Sequence, residues 1–151
     1  GEGNDLHPYD KKLVADRVFI AAMDLVYGRQ AQPQPAVETI EVCGDLLRMH
    51  CVWRSRSDER IRSESRRLMT LDGDAPHEIE FLWRDCATSA RAEAWLDGCD
   101  IVARMTARRP DEVRYAWSNN PESGLICDGD GMLIPPFRLT LPTDDDKGIH
   151  A

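Results

Sequence analysis

The sequence lacks any apolar run near the roughly 20 residues that a membrane-spanning helix needs, and it shows no signal-peptide pattern. It is also short of basic residues, since 19 Lys and Arg stand against 27 Asp and Glu, for a formal net charge of −8. Proteins that bind nucleic acid concentrate Lys and Arg, so this balance argues against that class. We therefore expect neither a membrane nor a nucleic acid among the partners of the chain.

The five cysteines show no C-x-x-C spacing, which argues against a zinc site. Most of them lie beside apolar or aromatic residues on predicted strands, a setting typical of buried free thiols. One disulfide stays open as an alternative, because Cys43 and Cys51 are close enough in sequence to face each other across a hairpin.

The composition is that of a globular protein, with 42% hydrophobic and 30% charged residues in a chain of 151. This length fits one ordinary domain with a sizeable core, or a small domain with an appendage. The sequence begins at Gly1 without a Met, from which we expect a processed or truncated product. Residues 143–151 are acidic and without an apolar pattern, which predicts a frayed tail.

An amphipathic helix is predicted from Asp10, a good N-cap residue, to Gly28, which supplies a left-handed stop. Its apolar residues recur at helical spacing and form one stripe: Val14, Val18, Ala21, Ala22 and Leu25. Such a stripe has to be buried against a partner surface, which the rest of the chain need not provide. Residues 29–36 are rich in Pro and Gln and predict an extended linker.

Beyond the linker the apolar pattern alternates, as in strands. The predicted strands are residues 37–42, 46–53, 78–83, 90–96, 100–105 and 112–118, with turns at Gly44-Asp45 and Asp97-Gly98. Short strands separated by turn signals predict an antiparallel β-sandwich over residues 37–142.

His7 is the candidate general base of the sequence, and Asp5 is its candidate orienter. A serine hydrolase needs an imidazole near its working pKa, held in one tautomer by a carboxylate, to take the proton of the nucleophile. Both residues lie in the stretch Asn4-Asp5-Leu6-His7-Pro8, directly before the predicted helix. No serine precedes them, so the nucleophile has to come from elsewhere. The alternative is that His7 is an ordinary surface histidine.

The stretch Asp128-Gly129-Asp130-Gly131 places two carboxylates on a glycine-rich loop, as some calcium sites do. It lacks the spaced carboxylates that complete an EF-hand loop. We therefore predict a plain turn.

Two stretches carry a resemblance to a known family. The first is Asp5-Leu6-His7-Pro8 with Lys11, leading to Tyr27-Gly28, and the second is Val113-Arg114-Tyr115-Ala116-Trp117 with Asn120-Pro121, Gly131 and Pro136-Phe137-Arg138. Both resemble the C-terminal part of the sialate O-acetylesterase family, within the SGNH-type serine esterases. The resemblance covers both ends of the chain, whereas the middle matches only in its strand rhythm.

The resemblance implies a carbohydrate O-acetylesterase that hydrolyses acetyl esters on sugars by a Ser-His-Asp mechanism, with His7 and Asp5 supplied by this chain. SGNH enzymes often place the acid three residues before the His, where this sequence has Asn4. The Gly-Gln-Ser-Asn motif of the family is absent, no G-x-S-x-G occurs, and Ser123 is a poor nucleophile candidate. We therefore expect another chain to supply the serine, the oxyanion-hole donors and the catalytic sheet, so that this chain alone is an inactive esterase part.

In this interpretation the chain is mainly β. Residues 1–28 are the C-terminal loop and helix of an α/β SGNH catalytic domain, and residues 37–142 are an accessory sandwich. No metal or organic cofactor is implied. The resemblance suggests a secreted, periplasmic or lysosome-like location. Whether the acetylated sugar is sialic acid, xylan or another glycan stays open.

A second hypothesis is a non-catalytic β-sandwich that binds glycans or braces an assembly. Exposed aromatic side chains stack on sugars, and the chain has four tryptophans: Trp53, Trp83, Trp95 and Trp117. All four lie within strand patterns, so we expect core packing for most of them.

Overall fold

The computed structural model describes residues 33–54, 60–61, 66–118 and 123–142, together with the isolated residues 15, 18, 19, 22, 23 and 26. The six isolated residues have helical backbone, and the continuous ranges are built from strands. Within these ranges no helix is long and apolar enough to cross a membrane.

Eleven strands are formed by the described residues. They are β1 (Gln34–Cys43), β2 (Leu46–Arg54), β3 (Arg60–Ile61), β4 (Leu68–Thr70), β5 (Ile79–Trp83), β6 (Thr88–Arg91), β7 (Glu93–Asp97), β8 (Asp100–Arg104), β9 (Glu112–Tyr115), β10 (Ile126–Asp128) and β11 (Phe137–Thr140).

The strands form two main antiparallel sheets. The first sheet has the order β1-β2-β8-β7, with β3 paired to β2, and the second has the order β11-β9-β5-β6. One core cluster draws on the inner faces of both sheets, and its largest buried side chains include Leu47, Met49, Trp53, Ile79, Phe81 and Tyr115. The predicted antiparallel β-sandwich is therefore confirmed. The α/β catalytic part expected from another chain stays a prediction.

The β1–β2 hairpin shows how the alternating pattern sets the register. Gly44 has a positive φ of 64° at the predicted turn, and Cys43 pairs with Leu46 on its two sides. Pairing extends back to Gln34, which lies opposite Arg54. Residues 34–36, the end of the predicted linker, therefore belong to β1.

The predicted strand over residues 90–96 is wrong, because this segment divides between the two sheets. β6 pairs with β5 in the second sheet, and β7 pairs with β8 in the first. The chain crosses over at Ala92, whose N–H donates to the Ile79 carbonyl at 2.9 Å. An alternating pattern reports which face a residue occupies and carries no information about the sheet to which it belongs.

The outer face of the second sheet is covered by ion pairs rather than by apolar side chains. Glu112 accepts hydrogen bonds from Arg84 and Arg138, each at 2.5 Å. The guanidinium of Arg138, followed by that of Arg84, holds the pKa of Glu112 below its usual range. Next to this group, Arg114 donates to Glu80 at 2.6 Å.

The outer face of the first sheet is also charged. Arg48 pairs with Asp97 at 2.9 Å and with Asp100 at 3.1 Å. The ring of His50 lies between Asp100, at 3.3 Å from Nδ1, and Glu41, at 3.4 Å from Nε2. Ion-pair networks of this kind suit a solvated sheet face.

The small sheet of β4 and β10 joins the two large ones. The Leu68 N–H donates to the Gly98 carbonyl beyond β7, at 2.9 Å. The Ile126 N–H donates to the Tyr115 hydroxyl of β9, at 2.7 Å. Burial raises the pKa of Tyr115 to about 12. A buried hydroxyl thus satisfies a backbone donor that the ladder of β10 leaves free.

All five cysteines are free thiols. The open alternative of a Cys43–Cys51 disulfide is wrong, because Cys43 is exposed beside the turn while Cys51 is buried opposite Val37. The predicted buried free thiols are confirmed for Cys51 and Cys127 but not for Cys43 and Cys86, which are exposed. Burial raises the pKa of Cys51 to about 12.

Candidate functional site

The predicted catalytic residues His7 and Asp5 lie outside the described residues, so their roles stay predictions. The same holds for most of the predicted helix. In the sequence, the described residues closest to the predicted pair are the six helical positions between 15 and 26.

These helical positions present large apolar side chains to solvent. The exposed fractions of Val18, Phe19 and Val26 are 63%, 62% and 70%. Residues 15, 19, 22 and 26 are spaced by four, three and four, which places them on one side of a helix. Val18 and Ala22 belong to the predicted apolar stripe, and both are exposed. Contiguous exposed apolar surface is typical of interaction sites. We call the described exposed positions Ala15, Val18, Phe19, Ala22 and Val26 the helical face.

The described histidines do not form a serine–histidine pair. His50 contacts Asp100 and Glu41, and the Ser118 hydroxyl donates to Glu78 at 2.8 Å. Among the described residues, neither His50 nor His77 is hydrogen-bonded to a serine. The described part of the chain also holds no group of three His, Cys, Asp or Glu side chains arranged for a metal ion.

The Asp128 loop is a turn, as predicted. The Asp128 carboxylate accepts backbone hydrogen bonds from Asp130 and Met132, both at 3.0 Å. Its second oxygen accepts the indole N–H of Trp53 at 2.8 Å. A buried carboxylate that is filled by these donors closes its own loop and fixes a core tryptophan.

An open groove of about 450 Å³ lies between the β1–β2 turn and the segment after β8. Asp45 and Arg109 are the charged residues in its lining. Asp45 pairs with Arg104 at 2.9 Å, and Arg109 donates to the Pro142 carbonyl. Both charged groups serve the fold, and their positions suggest no chemistry.

The four tryptophans differ in their exposure. Trp53 and Trp83 are buried, and their indole N–H groups donate to Asp128 and to the Arg109 carbonyl. Trp95 is half-buried beneath the Arg104 guanidinium, 5.7 Å from the ring centroid. The expectation of core packing holds for Trp53 and Trp83. Trp117, in contrast, is 50% exposed.

Trp117 is exposed because the backbone turns directly before it. Val113 and Tyr115 of β9 face the core, and strand alternation would send Trp117 inward as well. Ala116 instead has a φ of 51°, the left-handed region, which costs a residue with a Cβ about 1–2 kcal/mol. The predicted strand over 112–118 therefore ends at Tyr115. The turn signal Asn119-Asn120-Pro121 follows so closely that it could have indicated this earlier end.

Glu78 anchors the chain on both sides of Trp117. Its carbonyl accepts the Ala116 N–H at 3.0 Å, and its side chain accepts the Ser118 hydroxyl at 2.8 Å. The carboxylate is nearly buried and also lies 4.0 Å from Arg91. One residue thus holds the left-handed turn and the residue that follows Trp117.

A second close contact braces this end of the sandwich. Gly124, with a φ of 65°, packs against the backbone of Ala75 and His77. Its N–H donates to Asp72 at 2.7 Å and, as the largest influence, lowers the pKa of that carboxyl. The segments around His77 and Gly124 are therefore held together at the end of the β5–β9 pair that Trp117 follows. We call this group, Trp117 with Ser118, His77 and Glu78, the Trp117 surface.

Comparisons with known proteins now give the fold a context. Neither a scan against protein-family models nor a search of curated proteins found a match. Among solved structures, the chain is similar to a carbohydrate acetylesterase from Xanthomonas citri, with 25% identical residues and a TM-score of 0.68. The likeness covers 89% of this chain and 29% of that one, so this chain spans less than a third of the neighbour's length. It supports an esterase-like relationship at the level of the protein class.

Proposed function

We propose that this chain is the histidine-bearing part of a carbohydrate O-acetylesterase of the SGNH type, similar to sialate O-acetylesterases. The observation that carries the proposal is the structural likeness to a carbohydrate acetylesterase over 89% of this chain. The Asp5-Leu6-His7-Pro8 stretch adds a base and an orienter of the kind this chemistry needs. The serine, the oxyanion-hole donors and the catalytic sheet come from a second polypeptide, outside these 151 residues.

His7 acts as general base and then as general acid in this mechanism. It takes the proton of the serine hydroxyl as the serine oxygen attacks the acetyl carbonyl. It then gives that proton to the sugar oxygen as the ester bond breaks, which leaves an acetyl-serine. A water molecule, deprotonated by His7, releases acetate in the second half of the cycle. Asp5 holds the imidazole in one tautomer and favours its cation.

The helical face is the surface through which this chain joins the catalytic sheet. Val18, Phe19 and Val26 are exposed in the chain by itself, and a helix next to the catalytic base has to pack on the domain that carries the nucleophile. The charged outer faces of the sandwich lack such apolar side chains among the residues described. This contrast supports docking through the helix, with the sandwich flanking the site.

The proposal is tested by labelling the natively purified particle with a fluorophosphonate, which reacts with activated serines. We expect the label on a second polypeptide and not on the 17.1 kDa chain, as read by denaturing intact mass. The His7→Ala variant should lose the labelling, because the serine is no longer activated. His50→Ala is the matched control, since His50 lies on the outer face of the sandwich, and it should retain the labelling.

Three outcomes would change the proposal. A label on this chain itself, or no label at all, contradicts the catalytic role. A single longer polypeptide that contains both this sequence and the labelled serine keeps the mechanism and rejects the separate-chain arrangement.

The second candidate, a non-catalytic glycan-binding sandwich, is favoured by the exposure of Trp117 alone. It predicts that His7→Ala affects neither labelling nor glycan binding.

A further inference from the structure

Trp117 is a large aromatic side chain that the proposed catalytic chemistry does not use. Half of its surface is exposed, whereas Trp53 and Trp83 are buried and Trp95 lies under Arg104. Among the described residues its indole N–H has no hydrogen-bond partner. A half-exposed indole without an internal hydrogen bond leaves both an aromatic face and a donor available to a ligand.

The backbone on either side of Trp117 is held before any ligand arrives. The left-handed Ala116 turns the chain outward, and Glu78 holds Ala116 and Ser118 on either side. The close approach of Gly124 to His77 braces the neighbouring segment. A backbone that is already held loses less conformational entropy when a ligand binds, which favours binding over the same indole on a mobile loop.

The surroundings of Trp117 distinguish between a sugar and a protein as ligand. The core of a protein interface needs a contiguous apolar patch. The described residues next to Trp117 in sequence or in strand register include Ser118, Glu78 and the exposed His77, which are polar or charged. A pyranose ring, by contrast, needs one flat aromatic face for its C–H groups and polar groups nearby for its hydroxyls. The Trp117 surface has that composition.

We propose that the Trp117 surface is a saccharide-binding subsite, in which the indole stacks on a pyranose ring and the His77 imidazole hydrogen-bonds a sugar hydroxyl. The choice of a saccharide rests on the proposed function, in which the substrate is an acetylated glycan. The sandwich then holds the glycan chain at a distance from the ester that is hydrolysed. Its contribution is to binding, and Trp117 takes no part in the chemical step.

The test is a titration of the full 151-residue chain with xylohexaose, acetylated xylohexaose, cellohexaose and mannohexaose, read by tryptophan fluorescence and by saturation-transfer NMR. We expect at least one of these probes to give a saturable binding curve. Trp117→Ala should weaken that binding by at least about tenfold, and Trp117→Phe should retain part of it because an aromatic face remains. Trp95→Ala is the matched control and should bind as the wild type does. Circular dichroism melts of the variants establish that each one folds.

The proposal is overturned if none of the four probes binds, or if Trp117→Ala binds with wild-type affinity. It is also overturned if Trp117 fluorescence responds only to the serine-bearing polypeptide, since the surface would then be a protein interface. These results differ from a failure of the proposed function. Saccharide binding through Trp117 without a labelled serine would reject the esterase alone, and an active esterase without binding at Trp117 would reject the subsite alone.

Discussion

Gly124 is the residue whose missing side chain lets two loops pack together at one end of the sandwich. A Cβ at this position would lie 2.3 Å from the carbonyl oxygen of Ala75 and 2.6 Å from the nitrogen of His77. Both are backbone atoms, so they cannot move aside as a flexible side chain would. The neighbouring hydrogen bond from Gly124 to Asp72 depends on this approach.

Gly124→Ala is expected to destabilise the fold much more than Gly98→Ala. Both glycines have a φ of 65°, but nothing lies within 4 Å of a Cβ at Gly98. Gly98→Ala should therefore cost only the left-handed backbone, about 1 kcal/mol, whereas overpacking adds to this at Gly124 for a total of about 3 kcal/mol. Urea unfolding measures both losses of free energy. Equal losses would show that the loops around Gly124 are not in close contact.

Thiol reactivity tests the assignment of the five cysteines. In the native protein, Cys43 and Cys86 should react quickly with a thiol reagent, and the half-buried Cys99 more slowly. Cys51 and Cys127 should react only after unfolding, because burial keeps both the reagent and the charged thiolate out. Denaturant without reductant should release all five thiols. A total of three would show a disulfide and contradict the structure.

At the scale of elements, local patterns determine most strands, and contacts between distant residues determine the rest. The β1–β2 and β7–β8 hairpins could be predicted because their turns, at Gly44 and Gly98, follow from adjacent residues. The division of residues 90–96 could not, because it depends on Ala92 meeting Ile79 in the folded sheet. The short β4 and β10 likewise exist because Tyr115 and Gly98 offer them partners.

The candidate site was predicted only in part, for a similar reason. Motif spacing and the family resemblance predict His7 and Asp5, which lie outside the described residues, so their roles stay predictions. The alternating pattern of β9 placed Trp117 in a strand, because nothing in a local pattern reveals that Glu78 holds Ala116 in a left-handed turn. The exposure of Trp117 follows from this contact between distant residues, which a local hydrophobic pattern does not report.

Glu112 links β9 to β11 and to the end of β5, and it makes stability depend on pH. Arg138 and Arg84 hold its pKa below the ordinary value in the folded protein. The stabilisation is therefore complete above the unfolded pKa of about 4.3 and is lost as the pH falls through the lower folded value. Glu112→Gln should lower the free energy of unfolding at pH 7 and make its decline between about pH 5 and pH 3 less steep.

Urea unfolding across this pH range measures the effect of Glu112→Gln. Glu93→Gln is the control, because Glu93 pairs with the single, half-exposed Arg104 on the other sheet. It should change stability less than Glu112→Gln does. An acid limb that is as steep in Glu112→Gln as in the wild type would show that the Arg84–Glu112–Arg138 contacts do not form in solution.

At the scale of the whole molecule, the exposed apolar surface is unevenly distributed. The large apolar side chains that are exposed among the described residues are Val18, Phe19, Val26, Met69, Leu71 and Trp117. The first three belong to the helical face. Met69 lies in β4, Leu71 directly follows β4, and Trp117 follows the turn after β9. The outer faces of both main sheets carry ion pairs instead. The molecule thus presents solvated sheet faces and separate surfaces suited to interactions.

If the proposed serine-bearing polypeptide docks on the helical face, Phe19→Asp should weaken that association without unfolding the sandwich. A charge in a desolvated interface is costly, so we expect at least about a tenfold loss of affinity. Leu71→Asp is the matched control, since it places the same charge on an apolar residue of the sandwich that is also about half exposed. Analytical ultracentrifugation of the mixed polypeptides measures both variants. An unchanged affinity in Phe19→Asp would exclude the helical face as the docking surface.

The central claim is that His7 is the general base of a carbohydrate O-acetylesterase. The most direct test is kcat for acetate release from an acetylated oligosaccharide, measured on the natively purified particle that contains this chain and the proposed serine-bearing polypeptide. With His7→Ala the account predicts that kcat falls by about 10³-fold or more, as for loss of a triad base, while His50→Ala keeps nearly wild-type kcat. A wild-type kcat in the His7→Ala particle would contradict the account.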